Sequence, residues 1–228
     1  MRVYYDSNLT QKTARLFPYA AAKASDSGYI DFRLRPDLID TSLEDFKPIS
    51  QIGASQAFFQ FLRWINGPQS HLMTCDSGFR QPGPHQDRNS QRALSAHGRV
   101  FVLYRDLMLN SSETHADWLC GRMMKELDQI DPAFPANDGV VGFTQQPALQ
   151  TEISNGIWHG PLGFEAGEND PGLEKHLMLS YWGYGDSDID AFASVERIFR
   201  NIWDACRIIS DMVDEAKRAP EDGSPTSK

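Results

Sequence analysis

Nine apolar side chains, Ile189, Phe192, Val195, Phe199, Ile202, Trp203, Cys206, Ile209 and Val213, recur at spacings of three and four in the last fifth of the sequence. That spacing predicts a helix over residues 187–217 with one apolar stripe kept for about seven turns. At ~1.5–3 kcal/mol for each fully buried side chain, covering the stripe is worth on the order of ten to twenty-five kcal/mol before entropy is subtracted. The fold must therefore present a long apolar layer to this helix, which is expected to be the spine of the core. Its start is marked as well. Asp186, Ser187, Asp188 and Asp190 bring side-chain oxygens and negative charge to amides that otherwise lack partners.

A second stripe, Ala116, Leu119, Cys120, Met123, Leu127 and Ile130, predicts a helix from Ser112 to about Ile130, capped by Ser111 or Ser112 with Glu113 behind it. A third runs from Ser42 through Phe46 and Ile49, is interrupted by Pro48, and continues over Ala54, Ala57, Phe58, Phe61, Leu62 and Ile65. Asn66, Gly67 and Pro68 stop it. Strand-like stretches fall between the helices: 71–74 and 99–109 before the 112–130 helix, then 140–143, resuming at 149–153, and 176–182 before the last helix. The order reads as two successive ββα units. The fold class expected is α+β, an antiparallel or mixed sheet packed by long amphipathic helices.

Residues 1–41 read as an irregular N-terminal segment, strand-like at Val3, Tyr4 and Tyr5 and alternating at 29–34. Residues 1–218 are expected to form one domain, and 219–228, rich in Pro, Ser and Gly, a disordered tail.

The 228 residues are 40% hydrophobic and 23% charged, which excludes a fibrous or wholly disordered chain. Twenty-two Lys and Arg against thirty-one Asp and Glu leave a net charge of −9, so the chain as a whole repels phosphate backbones and anionic lipid. Neither a nucleic acid nor a membrane is an expected partner. No window approaches the ~20 apolar residues that span a bilayer, and a cytoplasmic location follows from the sequence as read. Cys75, Cys120 and Cys206 are odd in number and widely spaced, and are expected to be reduced, buried and without chemistry. Histidines 71, 97, 115 and 176 flank the expected elements and read as surface or boundary residues. No cofactor is expected.

The sharpest catalytic motif is His85-Gln86-Asp87 with the distal His159-Gly160-Pro161. It resembles the phytanoyl-CoA hydroxylase branch of the Fe(II)/2-oxoglutarate oxygenases. The resemblance implies His85, Asp87 and His159 as iron ligands on one rim, with three positions left open. Two features oppose it. That triad belongs to a double-stranded β-helix, yet the 112–130 helix intervenes, and no basic residue to hold the co-substrate follows His159 before Lys175. The oxygenase is the alternative function. The opening MRVYYDS resembles the first residues of ketol-acid reductoisomerases, but no GxGxxG fingerprint comes after it, and neither a Walker A sequence nor a GxSxG elbow occurs.

Residues 156–190 are dense in the side chains that build protein interfaces. Trp158, Phe164, Tyr181, Trp182 and Tyr184 are interleaved with Glu165, Glu168, Asp170, Glu174, Asp186 and Asp188 among seven glycines. Large rings set among acids suit a basic protein partner, the rings supplying desolvated area and the carboxylates the encounter rate. The competing reading packs Trp158, Tyr181 and Trp182 beneath the last helix.

The segment Tyr181-Trp182-Gly183-Tyr184-Gly185, leading from a strand into a long helix of a compact acidic α+β chain, resembles the immunity proteins of bacterial polymorphic toxin and type VI secretion systems. The kind it resembles is paired with nuclease toxins. The resemblance implies a non-enzymatic inhibitor that binds a cognate protein toxin. The surface expected to do so comprises Trp158, Phe164, Glu165, Glu168, Asp170, Tyr184, Asp186 and Asp188.

Overall fold

The apolar stripes of three helices are covered by one face of a mixed sheet. The computed structural model describes residues 1–7, 15–17, 37–42, 53–85, 90–150, 153–154, 157–158 and 173–213. In chain order the elements are β1 (Arg2–Tyr5), β2 (Arg15–Phe17), α1 (Asp37–Ser42), α2 (Gly53–Asn66), β3 (Leu72–Phe79), β4 (Gly83–Pro84) and β5 (Leu94–Tyr104). They continue with α3 (Leu107–Asn110), α4 (Glu113–Ile130), β6 (Gly139–Gln150), β7 (Ile153–Ser154), β8 (Ile157–Trp158), β9 (Leu173–Gly185) and α5 (Asp188–Asp211). The expected strand at 29–34, the start of the third helical stripe at 43–52 and the tail at 219–228 lie outside the described residues.

The sheet runs β1-β6-β9-β5-β3, with β2 beside β6 and β4 beside β5; β7 and β8 form a separate ribbon. β1 and β2 are parallel to β6, and the other pairings are antiparallel. The chain is thus α+β with a mixed sheet. The two ββα passes are present in sequence order, β3-β5-α4 and β6-β9-α5. Their second strands, β5 and β9, lie side by side and antiparallel in the middle of the sheet.

Alternation along β9 sends Leu177, Leu179, Tyr181 and Gly183 to the helix face and Glu174, His176, Met178, Ser180 and Trp182 to the other. α5 packs on β9 and β5 and against both α2 and α4. Phe199 meets Tyr181 edge-on at 4.8 Å between ring centroids and Phe58 of α2 at 5.1 Å. The expected spine is therefore buried along its length, from Ala191 to Val213. Trp203 is partly buried against this core, and Ile189 departs from it altogether. It was expected on the stripe, yet it is 80% exposed, because on the helical wheel it points away from Ala191, Val195 and Ile202.

Several boundaries differ from the sequence reading. The strand expected over 99–109 begins at Leu94 and ends at Tyr104, where Asn110 takes the place of a neighbouring strand. Its amide nitrogen donates to the Tyr104 carbonyl (3.0 Å) and its oxygen accepts from the Tyr104 N–H (2.9 Å). The expected strand at 140–143 and the start of that at 149–153 are one strand, β6, with Pro147 paired opposite Lys175 inside it; 151–152 lie outside the described residues and Ile153 is in β7. β3 runs on to Phe79, beyond the expected end at residue 74 and past a register shift between Thr74 and Ser77. Asn66, read only as a helix stop, is buried and bonds Thr74 through both side-chain atoms, tying α2 to β3. Arg105 then closes the end of α2 by donating to the carbonyls of Gly67 (2.7 Å) and Ser70 (2.9 Å).

Candidate functional site

The junction between β9 and α5 carries the acidic residues that the sequence singles out. Ser187 is the N-cap of α5. Its Oγ accepts from the Asp190 N–H at 3.2 Å and donates to the Asp190 carboxylate at 2.7 Å, so Asp190 serves the helix start. Asp186 is exposed and accepts from Arg92 Nη1 at 2.6 Å, while Arg92 Nε donates to Asp138 at 2.9 Å. Its hydrogen bonds to these two carboxylates, Asp138 first, raise the guanidinium above its ordinary pKa. Asp188 is exposed, and Ile189 stands beside it. The result is an apolar side chain in water with Asp186, Asp188 and Asp190 around it in sequence.

Of the other residues expected on a partner surface, Phe164, Glu165, Glu168 and Asp170 lie outside the described residues, and Trp158 is placed by its backbone in β8. Tyr184 corrects the expectation. It is 2% exposed, its ring 4.9 Å from that of His85 between centroids, so it offers no contact area to a partner. Pairing with Ser95 fixes its place in the sheet, and its N–H donates to the Asp138 carbonyl. Tyr181 does pack beneath α5, as the competing reading has it, whereas Trp182 is half-buried on the opposite face.

His85 donates from Nε2 to the Arg92 carbonyl at 2.7 Å, since a carbonyl oxygen can only accept. Asp87 and His159, two of the three expected iron ligands, lie outside the described residues. Among the described residues no group of His, Cys, Asp and Glu has the spacing to hold a metal ion.

The sequence reading missed a cluster on the sheet face away from the helices. His176 and Glu174 are two apart on β9 and Cys75 is on β3, with β5 between them. Cys75 Sγ lies 3.5 Å from His176 Nδ1, and His176 Nε2 lies 2.7 Å from Glu174 Oε2. The carboxylate can only accept, so the ring turns Nε2–H toward it and Nδ1 toward the thiol, the spatial order of orienter, imidazole and thiol found at nucleophilic sites. All three residues are at most 2% exposed, so the chemistry open to them in this conformation is internal. Histidines expected at the surface are thus buried at His176 and also at His115, where packing of α4 on the core covers the ring. No signal in one sequence pairs positions 75 and 176. Only the strand order does.

Among the described residues no helix is long and apolar enough to cross a membrane. No family model matches the chain, and no curated protein and no solved structure matches it.

Proposed function

We propose that the chain is a cytoplasmic immunity protein, a non-enzymatic inhibitor that neutralises a cognate nuclease-type toxin by binding it through the acidic surface at the start of α5. The observation that carries this reading is Ile189, 80% exposed on the first turn of a long helix, with exposed aspartates on both sides. An apolar side chain flanked in sequence by exposed aspartates combines a desolvating anchor with a field that draws in a basic surface. A toxin that cuts nucleic acid must line its substrate cleft with positive charge, and a chain of net charge −9 is its electrostatic complement. The resemblance of the Tyr181–Gly185 segment to immunity proteins points the same way.

The test is co-expression with the product of the adjacent gene, followed by affinity measurements at low and high salt. Ile189→Asp, and Asp186→Lys with Asp188→Lys, should each weaken the complex by on the order of tenfold to a hundredfold. The charge reversals should also flatten its salt dependence. Both sets leave Asp190 and the helix cap in place. Unchanged affinity at low salt in both sets removes this surface from the reading.

A further inference from the structure

We propose that the helix-free face of the sheet binds a nucleotide-sized anion, its phosphate held by Arg80 and Arg99 and its planar ring laid on Trp182. The proposal goes beyond the inhibitor reading and does not depend on it.

A cleft of about 510 Å³ opens on this face across β3, β5 and β9. Its floor is two adjacent rows of the sheet. In one, Gly78 of β3 pairs with Arg99 of β5, which pairs with Ser180 of β9. In the next, the Arg80 N–H donates to the His97 carbonyl at 2.7 Å, and His97 pairs with Trp182. Rows two residues apart along a strand are separated by roughly 7 Å. A phosphate and a base within one nucleotide can occupy two such rows together.

Four features favour an anion with a ring. Arg80 and Arg99 are both exposed, and their planar guanidinium forks match phosphate oxygens better than an ammonium does. No carboxylate lines the cleft among the described residues, in a chain whose acids outnumber its bases. Burial first, then the Arg80 charge, lower the pKa of His97, which is neutral at pH 7 and competes with neither arginine for the ligand. Trp182 is half-buried at the wall, where its ring offers a flat apolar surface.

Gly78 makes the proposal testable. A Cβ built on it meets no heavy atom within 4 Å, so any side chain there enters open space. The volume falls in the ~300–1,000 Å³ range of small-molecule sites.

The experiment titrates each of the four ribonucleoside 5′-monophosphates, and inorganic phosphate, into the full chain by calorimetry with tryptophan fluorescence alongside. Saturable binding of at least one monophosphate is expected, at least tenfold tighter than phosphate. Arg80→Glu and Arg99→Glu should each weaken it at least tenfold, and Gly78→Leu should abolish it with the unfolding midpoint unchanged. Should Gly78→Leu fold poorly, the exposed Arg80→Glu variant carries the same decision. The proposal is overturned if none of the four monophosphates binds saturably in the millimolar range. It is also overturned if binding survives these substitutions, or if inorganic phosphate binds as tightly as the nucleotides.

Discussion

A Cβ placed on Gly185 would lie 2.3 Å from the backbone nitrogen of Ala191, so the end of β9 and the first turn of α5 touch backbone to backbone. Gly183 stands in the same relation to Val195, at 2.6 Å from its nitrogen. The aromatic-glycine segment thus has a packing explanation residue by residue: Tyr181 lies under Phe199, the glycines admit the helix, and Trp182 and Tyr184 point to the other face. Gly183→Ala and Gly185→Ala should each destabilise by roughly 1–3 kcal/mol, because a backbone cannot yield as a side chain can. Gly78→Ala, which meets open space, is the matched control. Urea unfolding measures all three, and a Gly185→Ala protein as stable as the Gly78→Ala control would refute the close approach.

Periodicity made the helices legible and left the sheet's pairings hidden. The stripes of α4 and α5 and the cap at Ser187 follow from local spacing, so each is readable where it stands. Pro147 inside β6 is different. It sits where the sequence breaks a strand in two, and pairing with β9 through Pro147, joined by β2 from Ala148 on, holds that segment extended. The Cys75–His176 contact needs the order β3-β5-β9, a long-range fact that no local pattern encodes. Ile189 shows the converse limit, since a stripe extended by one turn too many takes an exposed residue for a core residue.

The buried Glu174–His176 pair predicts strong coupling. Glu174 Oε1 has no hydrogen-bond partner, and Oε2 depends on His176. His176→Ala should therefore cost about 3–5 kcal/mol, the penalty for leaving a charge buried alone. Replacing both residues by leucine should cost less than the two single leucine changes added together. Urea unfolding of the double-mutant cycle checks this; additive losses would mean that the 2.7 Å contact contributes no coupling.

Asp131 caps the C-terminal end of α4 and receives two bonds from Arg197 of α5, at 2.5 and 2.7 Å. The Arg197 hydrogen bond is the main cause that holds this carboxyl below its ordinary pKa. A depressed carboxyl contributes stability that is fully present above its unfolded pKa, ~4, and is lost as pH falls through the folded value. With Arg197 half-exposed, the pair is worth about 1 kcal/mol. The melting-temperature gap between wild type and Asp131→Asn should stay constant from about pH 5 to pH 8 and close below ~4. A gap that persists in acid would assign the loss to the cap alone.

The three thiols offer the last test, one that bears on the cluster at Cys75. All are free and buried. Burial, aided by the Asp117 charge, pushes Cys120 up to about 11, and burial raises Cys206 as well. At pH 8 only about one Cys120 in a thousand is then a thiolate, so an aromatic disulfide reagent should find less than one reactive thiol per native chain. After denaturation it should find three. The native rate should rise about tenfold per pH unit until Cys120 titrates. A thiol reacting rapidly below pH 8, still present in Cys120→Ser and lost in His176→Ala, would identify Cys75 as a thiolate made by its neighbouring base. That outcome would turn the cluster from an internal tie between β3 and β9 into a nucleophile that solvent can reach.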